Sequence, residues 1–528
     1  MGRNDVLKKI NYKEKVFNTK DWLQIIFTIL VVSAAVVLWG RDIVRMIDWR
    51  IPNEIREGAN VAVTQALAEG NNPYKKFFFE GGLPNVYYMY PLLNNLIGAA
   101  IVSLTGIPCG LTLLILNFLW TGLTGILIAQ VVRHYTNSIY LTGLAFLLSH
   151  YCGWRYTNVS AFPDMLAVFL MTLILYICVC MESRIKENGR TIILLSALTV
   201  LCFYSKQYTV VVAFPVFLFL LVKGNKKTCI LYVAATAVLM VVSAFIIYIT
   251  MPLYFIETLL MVGGSADNEL KWALTQFIKI GKLFLIEFFF ILCYLIYHIR
   301  RKKIKLDYVW ISFVTMAVLL LYFGQNNGAH LSYYLQLWMP SVIIVSMQAV
   351  HTFLCLAKRN WQKYLVYFVI LLGGVYPGFF LNTPLLSNQQ KENWNRAMEI
   401  AENSELMLAT PQMADWAVAN KVYLYDYGQN QYILRKEMEN FWIKAGESAW
   451  IQTIFPEISE LKKAHEQYRE KMLAQLRDKE YDVLMIVPEV GFIRDFPEFE
   501  EIRNANYELT EIIEIETGVW KWEMEVWR

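Results

Sequence analysis

Apolar runs of bilayer length, separated by short basic loops, constrain this chain more than any other feature. The first runs from Trp22 to Gly40, and later ones end or begin at "SRIKENGR" (183–190), "KGNKK" (223–227), "RRKKIK" (300–305) and "AKRNWQK" (357–363). About 18–20 apolar residues span a bilayer as a helix, and Lys/Arg-rich loops mark the cytoplasmic side. The mean hydropathy of +0.38, with 56% hydrophobic and 17% charged residues, fits a polytopic membrane protein. The basic N-terminus (Lys8, Lys9, Lys13, Lys15, Lys20) precedes the first run, but no small-residue cleavage site follows it. A span rather than a signal peptide is expected there.

The net charge of +4 conceals a split. Residues 1–380 carry 32 Lys/Arg and 17 Asp/Glu; residues 381–528 carry 16 and 27. The first part reads as membrane with basic loops, the second as an acidic soluble domain, and neither offers a basic face for nucleic acid. All eight cysteines lie in or beside apolar segments, so a disulfide framework outside the membrane is not expected.

The basic loops pair the runs and order the map. It has about 11 transmembrane helices, a cytoplasmic N-terminus (1–21), a membrane module (22–380) and an extracytoplasmic α/β domain (381–528). Of the runs 91–106, 109–132 and 139–152, the last two are the expected spans and the first a shallow or re-entrant one. No inverted repeat of the kind common in secondary transporters is visible.

The outer loop 41–90 contains "EGANVAVTQALAEGNNPY" (57–74). Ala59, Ala62, Val63, Ala66 and Leu67 recur at helical spacing. They predict a short amphipathic helix lying flat on the outer membrane surface, ended by Gly70 and the "NNPY" turn. Glu57 starts it, which suits the helix dipole as well as a carboxylate at the water–lipid boundary. Other polar residues collect on the same side. Asp164 opens a span, as a helix-terminus acid or as a costly and therefore functional one. Arg155 precedes it in the same loop. Lys206 and Gln207 interrupt a long apolar run; the lysine could merely snorkel, but it sits on the side that the charge bias disfavours, which points equally to function. His330 lies in a turn between two spans. Together they provide acids for proton transfer and cations for the charge on a leaving phosphate, at one face of the membrane.

The order of these pieces resembles the GT-C membrane glycosyltransferases, in particular bacterial relatives of the protein O-mannosyltransferases and aminoarabinose transferases. The resemblance rests on Glu57, Gly70, Pro73–Tyr74, Tyr90–Pro91–Leu92, "FPDMLA" (162–167), "YSKQYTVV" (204–211) and "GAHLSYYLQ" (328–336). Phe162 stands where relatives often have arginine, and Ser332 and Gln336 stand where Asn and Glu are common. Glu54, Asp48 and Asp42 compete with Glu57. The resemblance implies a polyprenyl-phosphate sugar donor, a glycan, lipid or protein acceptor, and inversion at the anomeric carbon. Glu57 is the favoured general base and Asp164 the second. Lys206, Arg155 and His330 would bind the donor phosphate, and Tyr74, Tyr90, Gln207 and Tyr333 would line the substrate site. No cofactor is implied, though a divalent metal held by one acid would be compatible. Alternatives are a lipid-linked sugar transporter or flippase, which would need charges inside the spans (Glu287 is the clear example), and a polysaccharide polymerase.

In the acidic domain, 405–411, 421–427, 481–487, 507–516 and 518–526 read as strands, and 390–402 and 457–477 as helices. It has no Gly-rich phosphate loop or His/Cys cluster, so a covering or acceptor-docking role is expected.

Overall fold

The apolar runs become helices of unequal length. A computed structural model describes residues 22–528 apart from 54–56, 76–87, 154–158, 184–187, 262–267, 302–305, 327, 382–384, 411–412, 421, 423–435, 489–496 and 517–520. Among the described residues, six helices are long and apolar enough to cross a membrane: Gln24–Ile47, Cys109–Thr136, Asp164–Met181, Lys226–Thr250, Leu331–Leu356 and Asn360–Leu381. A seventh span arises if Leu270–Leu283 and Leu285–Arg300, bent by 93°, count as one. Five further apolar helices among the described residues are shorter than a full span. The chain is a multi-pass membrane protein, and helix length by itself does not reach the eleven spans expected from the loops.

In chain order the helices are α1 (Trp22–Ile47), α2 (Glu57–Ala68), α3 (Leu93–Thr105), α4 (Cys109–Thr136), α5 (Ile139–Ser149), α6 (Asp164–Met181), α7 (Gly189–Ser205), α8 (Ala213–Lys223) and α9 (Lys226–Thr250). There follow α10 (Leu270–Leu283), α11 (Leu285–Arg300), α12 (Tyr308–Phe323), α13 (Leu331–Leu356), α14 (Asn360–Val375) and α15 (Gly378–Leu381). Side chains that accept the first free N–H groups set several starts: Ser138 for α5, Asn188 for α7, Asn225 for α9 and Asp307 for α12. The buried helix α13 runs through the main apolar core, against α4, α5 and α6. By contrast, α9 fully buries only Thr228, Cys229 and Tyr232, packs Leu239, Met240 and Ile247 partly inward, and turns residues such as Val238, Val241 and Phe245 outward.

The acidic domain comprises α16 (Asn388–Glu402), β1 (Met407–Ala409), α17 (Ala414–Asn420), α18 (Lys436–Glu447), α19 (Ala449–Ile454), α20 (Ile458–Arg477), β2 (Val483–Ile486), α21 (Pro497–Asn506), β3 (Leu509–Glu516) and β4 (Lys521–Trp527). Its sheet has the order β1-β2-β4-β3. The β1–β2 pair is parallel and the other two are antiparallel. Ile513 and Ile515 face inward while Glu514 and Glu516 face out, the alternation of a sheet covered on one side. Of the expected strand 421–427, all but Val422 lies outside the described residues.

The short helix after the first span differs from its expectation. Rather than lying exposed at a membrane surface, α2 is enclosed, with nine of its residues from Glu57 to Ala66 buried. Its apolar side meets α17 in a core shared with the acidic domain, where Ala59, Val63 and Ala66 join Ala414 and Ala417. Its polar side is also satisfied inside the protein. The Tyr88 hydroxyl donates to Asn60 at 2.5 Å, and the Asn95 amide donates to Thr64 Oγ1 at 3.0 Å. Gly70, at φ +81, ends the turn that follows.

Candidate active site

The start of α6 and the end of α7 lie together, and they bring Asp164 and Lys206 into contact. Helix α7 stops at Lys206, whose backbone is extended, and a 3₁₀ turn follows over Gln207–Val212. Thr209 Oγ1 donates to the Cys202 and Lys206 carbonyls at 2.7 and 2.8 Å, which fixes this break. Lys206 Nζ then sits 3.0 Å from Asp164 Oδ2, with the two residues 3% and 4% exposed. The lysine does not snorkel outward. A buried ion pair persists only where geometry and neighbours offset its desolvation.

Aromatic rings supply part of that offset. Lys206 Nζ lies 3.8 Å from the Tyr90 ring centroid, 5.9 Å from Tyr333 and 6.0 Å from Tyr208. The Tyr208 and Tyr333 rings lie 4.4 Å apart at a tilt of 42°, and the Tyr208 hydroxyl donates to Gln336 Oε1. Gln207 takes another route. Its amide donates to the carbonyls of Met89 (2.5 Å) and Thr258 (2.9 Å), tying the segment that holds Tyr90 to the π-turn Ile256–Met261.

Tyr74 is fully buried. Its hydroxyl donates to the Tyr88 and Tyr90 carbonyls at 2.9 and 3.2 Å, and so sets the backbone from which Tyr90 projects. Glu57 is buried as well, and its carboxylate accepts the N–H groups of Asn53 (3.2 Å) and Ala161 (3.3 Å). Ala161 lies three residues before Asp164, so Glu57 braces the loop that leads into Asp164. Arg45, also buried, faces the Glu57 charge and donates to the Asp48 and Ile51 carbonyls.

The other candidates are distributed around this cluster. His330 stands at the start of α13, its ring edge-on to Trp272 at 5.8 Å; Tyr333, one turn further, is the residue that approaches Lys206. Arg155 and Glu54 lie outside the described residues. Asp48 pairs with Lys391 of α16 at 3.0 Å, and Asp42 lies 3.6 Å from His150. Among the described residues, no three His, Cys, Asp or Glu side chains come together as a metal-binding group.

Tyr208, Gln336, Arg45 and Glu257 were not among the expected site residues. Glu257, in the π-turn, accepts the Tyr88 N–H at 3.3 Å, and burial pushes its carboxyl well above the ordinary range. An acid inside the apolar stretch "PLYFIETLLM" (252–261) was the available signal.

No protein-family model matches the chain, and no curated protein sequence does. Solved structures do. The aminoarabinose transferase ArnT of Cupriavidus metallidurans, in a crystal structure bound to undecaprenyl phosphate, matches with a TM-score of 0.56 at 12% identity, over 96% of this chain and 98% of that one. Its apo structure matches with a TM-score of 0.54 at 12% identity, over 94% and 97%. The oligosaccharyltransferase of Archaeoglobus fulgidus, tethered with an acceptor peptide, matches with a TM-score of 0.51 at 11% identity, over 95% of this chain and 73% of that one. The chain therefore has the fold of the GT-C membrane glycosyltransferases.

Proposed function

We propose that the chain transfers a sugar from a polyprenyl-phosphate donor to an acceptor hydroxyl at the extracytoplasmic face of the plasma membrane. The buried Lys206–Asp164 pair under Tyr90 carries this reading, because it keeps a cation and a carboxylate together at one end of the helix bundle. The similarity to a transferase crystallised with undecaprenyl phosphate supports the donor class.

In this reading the donor phosphate takes over Lys206 from Asp164. Neutralising the leaving phosphate is the main demand of such a transfer, and a preorganised cation meets it. The released Asp164 carboxylate then accepts the proton of the acceptor hydroxyl. The acceptor oxygen bonds to the anomeric carbon on the face opposite the phosphate, the carbon–phosphate-oxygen bond breaks, and polyprenyl phosphate leaves. Inversion follows from the single displacement. We assign the base to Asp164 rather than Glu57, because both Glu57 oxygens already brace loop N–H groups.

The test is to reconstitute Asp164→Asn and Glu57→Gln and measure donor affinity and turnover separately. Asp164→Asn should retain donor binding and lose roughly 10²–10⁴ in turnover, the usual range for a missing general base. Glu57→Gln should affect both modestly, through the loop. Normal turnover in Asp164→Asn would end the base assignment, and a wild-type protein that releases no polyprenyl phosphate from any such donor would end the transferase reading.

A further inference from the structure

We propose that α18–α19 of the acidic domain is a membrane-bedded element, with apolar side chains in the lipid leaflet beside the end of α9. Its sequence is the first reason. Helix α19 reads Ala-Trp-Ile-Gln-Thr-Ile, carries no charge, and buries none of its six residues. Trp450 is 59% exposed and Ile454 45%, and Ile443 on α18 is 54% exposed. Phe441 and Ala445, on the same helix as Ile443, are buried in the domain core, so α18 has one face inside and an apolar residue outside.

The level of this patch is the second reason. Tyr248 lies in the last turn of α9, a full membrane span. Its hydroxyl donates to the Ile454 carbonyl at 2.7 Å, and its ring lies 6.3 Å from that of Phe455. Tyrosine at a span end marks the height where hydrocarbon meets headgroups. The outward side chains of α9 on either side of it, Phe245 and Ile249, are each 63% exposed, as a surface against lipid would be. The surface of α19 continues that lipid-facing surface, and interfacial helices with tryptophan on the apolar side bind in this way. The partner is the bilayer itself.

The experiment uses the full chain in phosphatidylcholine vesicles doped with a phospholipid that carries a diazirine on its acyl chain. After illumination, mass spectrometry locates the lipid adducts. Adducts are expected on 441–455 as well as on the end of α9, and not on the outward charged residues Glu466 and Arg469 of α20. Adducts on α9 with none on 441–455 would overturn the proposal and leave the patch to a protein partner. A Trp450→Glu/Ile454→Glu variant should lose most adducts on 441–455 and keep those on α9, which also reports an intact fold; an undiminished yield on 441–455 would equally overturn it.

Discussion

The Lys206 ammonium group lies 3.0 Å from Asp164 Oδ2, joining the end of one membrane helix to the start of another inside the protein. Removing one partner of a buried pair strands the other charge, at a cost of about 3–5 kcal/mol. Lys206→Ala should therefore lower thermal stability and also weaken donor binding or turnover by roughly ten- to a hundredfold, the worth of a charge-assisted contact of about 1.5–3 kcal/mol. A Lys206→Met/Asp164→Asn double variant should recover melting temperature without recovering turnover. Recovery of both would reduce the pair to a structural strut.

Tyr90 presents its ring to the lysine at 3.8 Å. Tyr90→Phe keeps the ring face and should bind donor almost normally. Tyr90→Ala should lose about 0.5–2 kcal/mol of that affinity, the range for a partly desolvated cation–π contact. Donor titrations of the two variants separate the ring from the hydroxyl.

Asp415 of α17 packs directly over Gly110 in the first turn of α4, and one of its carboxylate oxygens has no hydrogen-bond partner. Burial raises its carboxyl from 3.8 to about 7. The folded state thus holds this proton more tightly than the unfolded chain. Its contribution is most favourable below about pH 4 and declines until about pH 7, by a few kcal/mol at about 1.4 kcal/mol per unit. Asp415→Asn should remove this decline. Melting curves of both proteins from pH 4 to 8 give the answer as a difference, and parallel curves would contradict it.

The orientation has a direct readout. Asn403 is exposed at the end of α16, whereas the native exposed thiols, Cys180 and Cys355, lie next to basic loops. In intact cells an impermeant thiol reagent should label Asn403→Cys and leave the parent protein unlabelled. The reverse pattern would put the acidic domain in the cytoplasm.

Some of this geometry is legible along the chain. Asp164 and Lys206 stand at span ends, and the charge of the intervening loops is enough to put both at one face. The strands Val483–Ile486, Leu509–Glu516 and Lys521–Trp527 follow from β-branched and aromatic runs flanked by charge. The surroundings of α2 are not legible, because Asn60 and Thr64 satisfy their polar groups with Tyr88 and Asn95 instead of water. Periodicity records that a face is polar and not what it meets. The same limit hides Tyr208 and Gln336, whose contact joins segments far apart in sequence.

The shared core between α2 and α17 imposes an order on biosynthesis. Glu57–Ala68 leaves the ribosome long before Ala414–Asn420, and contacts this distant in sequence form late. Helices α3 and α4 cover part of α2 early, but the side with Ala59, Val63 and Ala66 waits for α17 in the last quarter of the chain. A prematurely terminated chain would keep the brace of Glu57 on Asn53 and Ala161 yet leave the Ala59, Val63 and Ala66 side of α2 open.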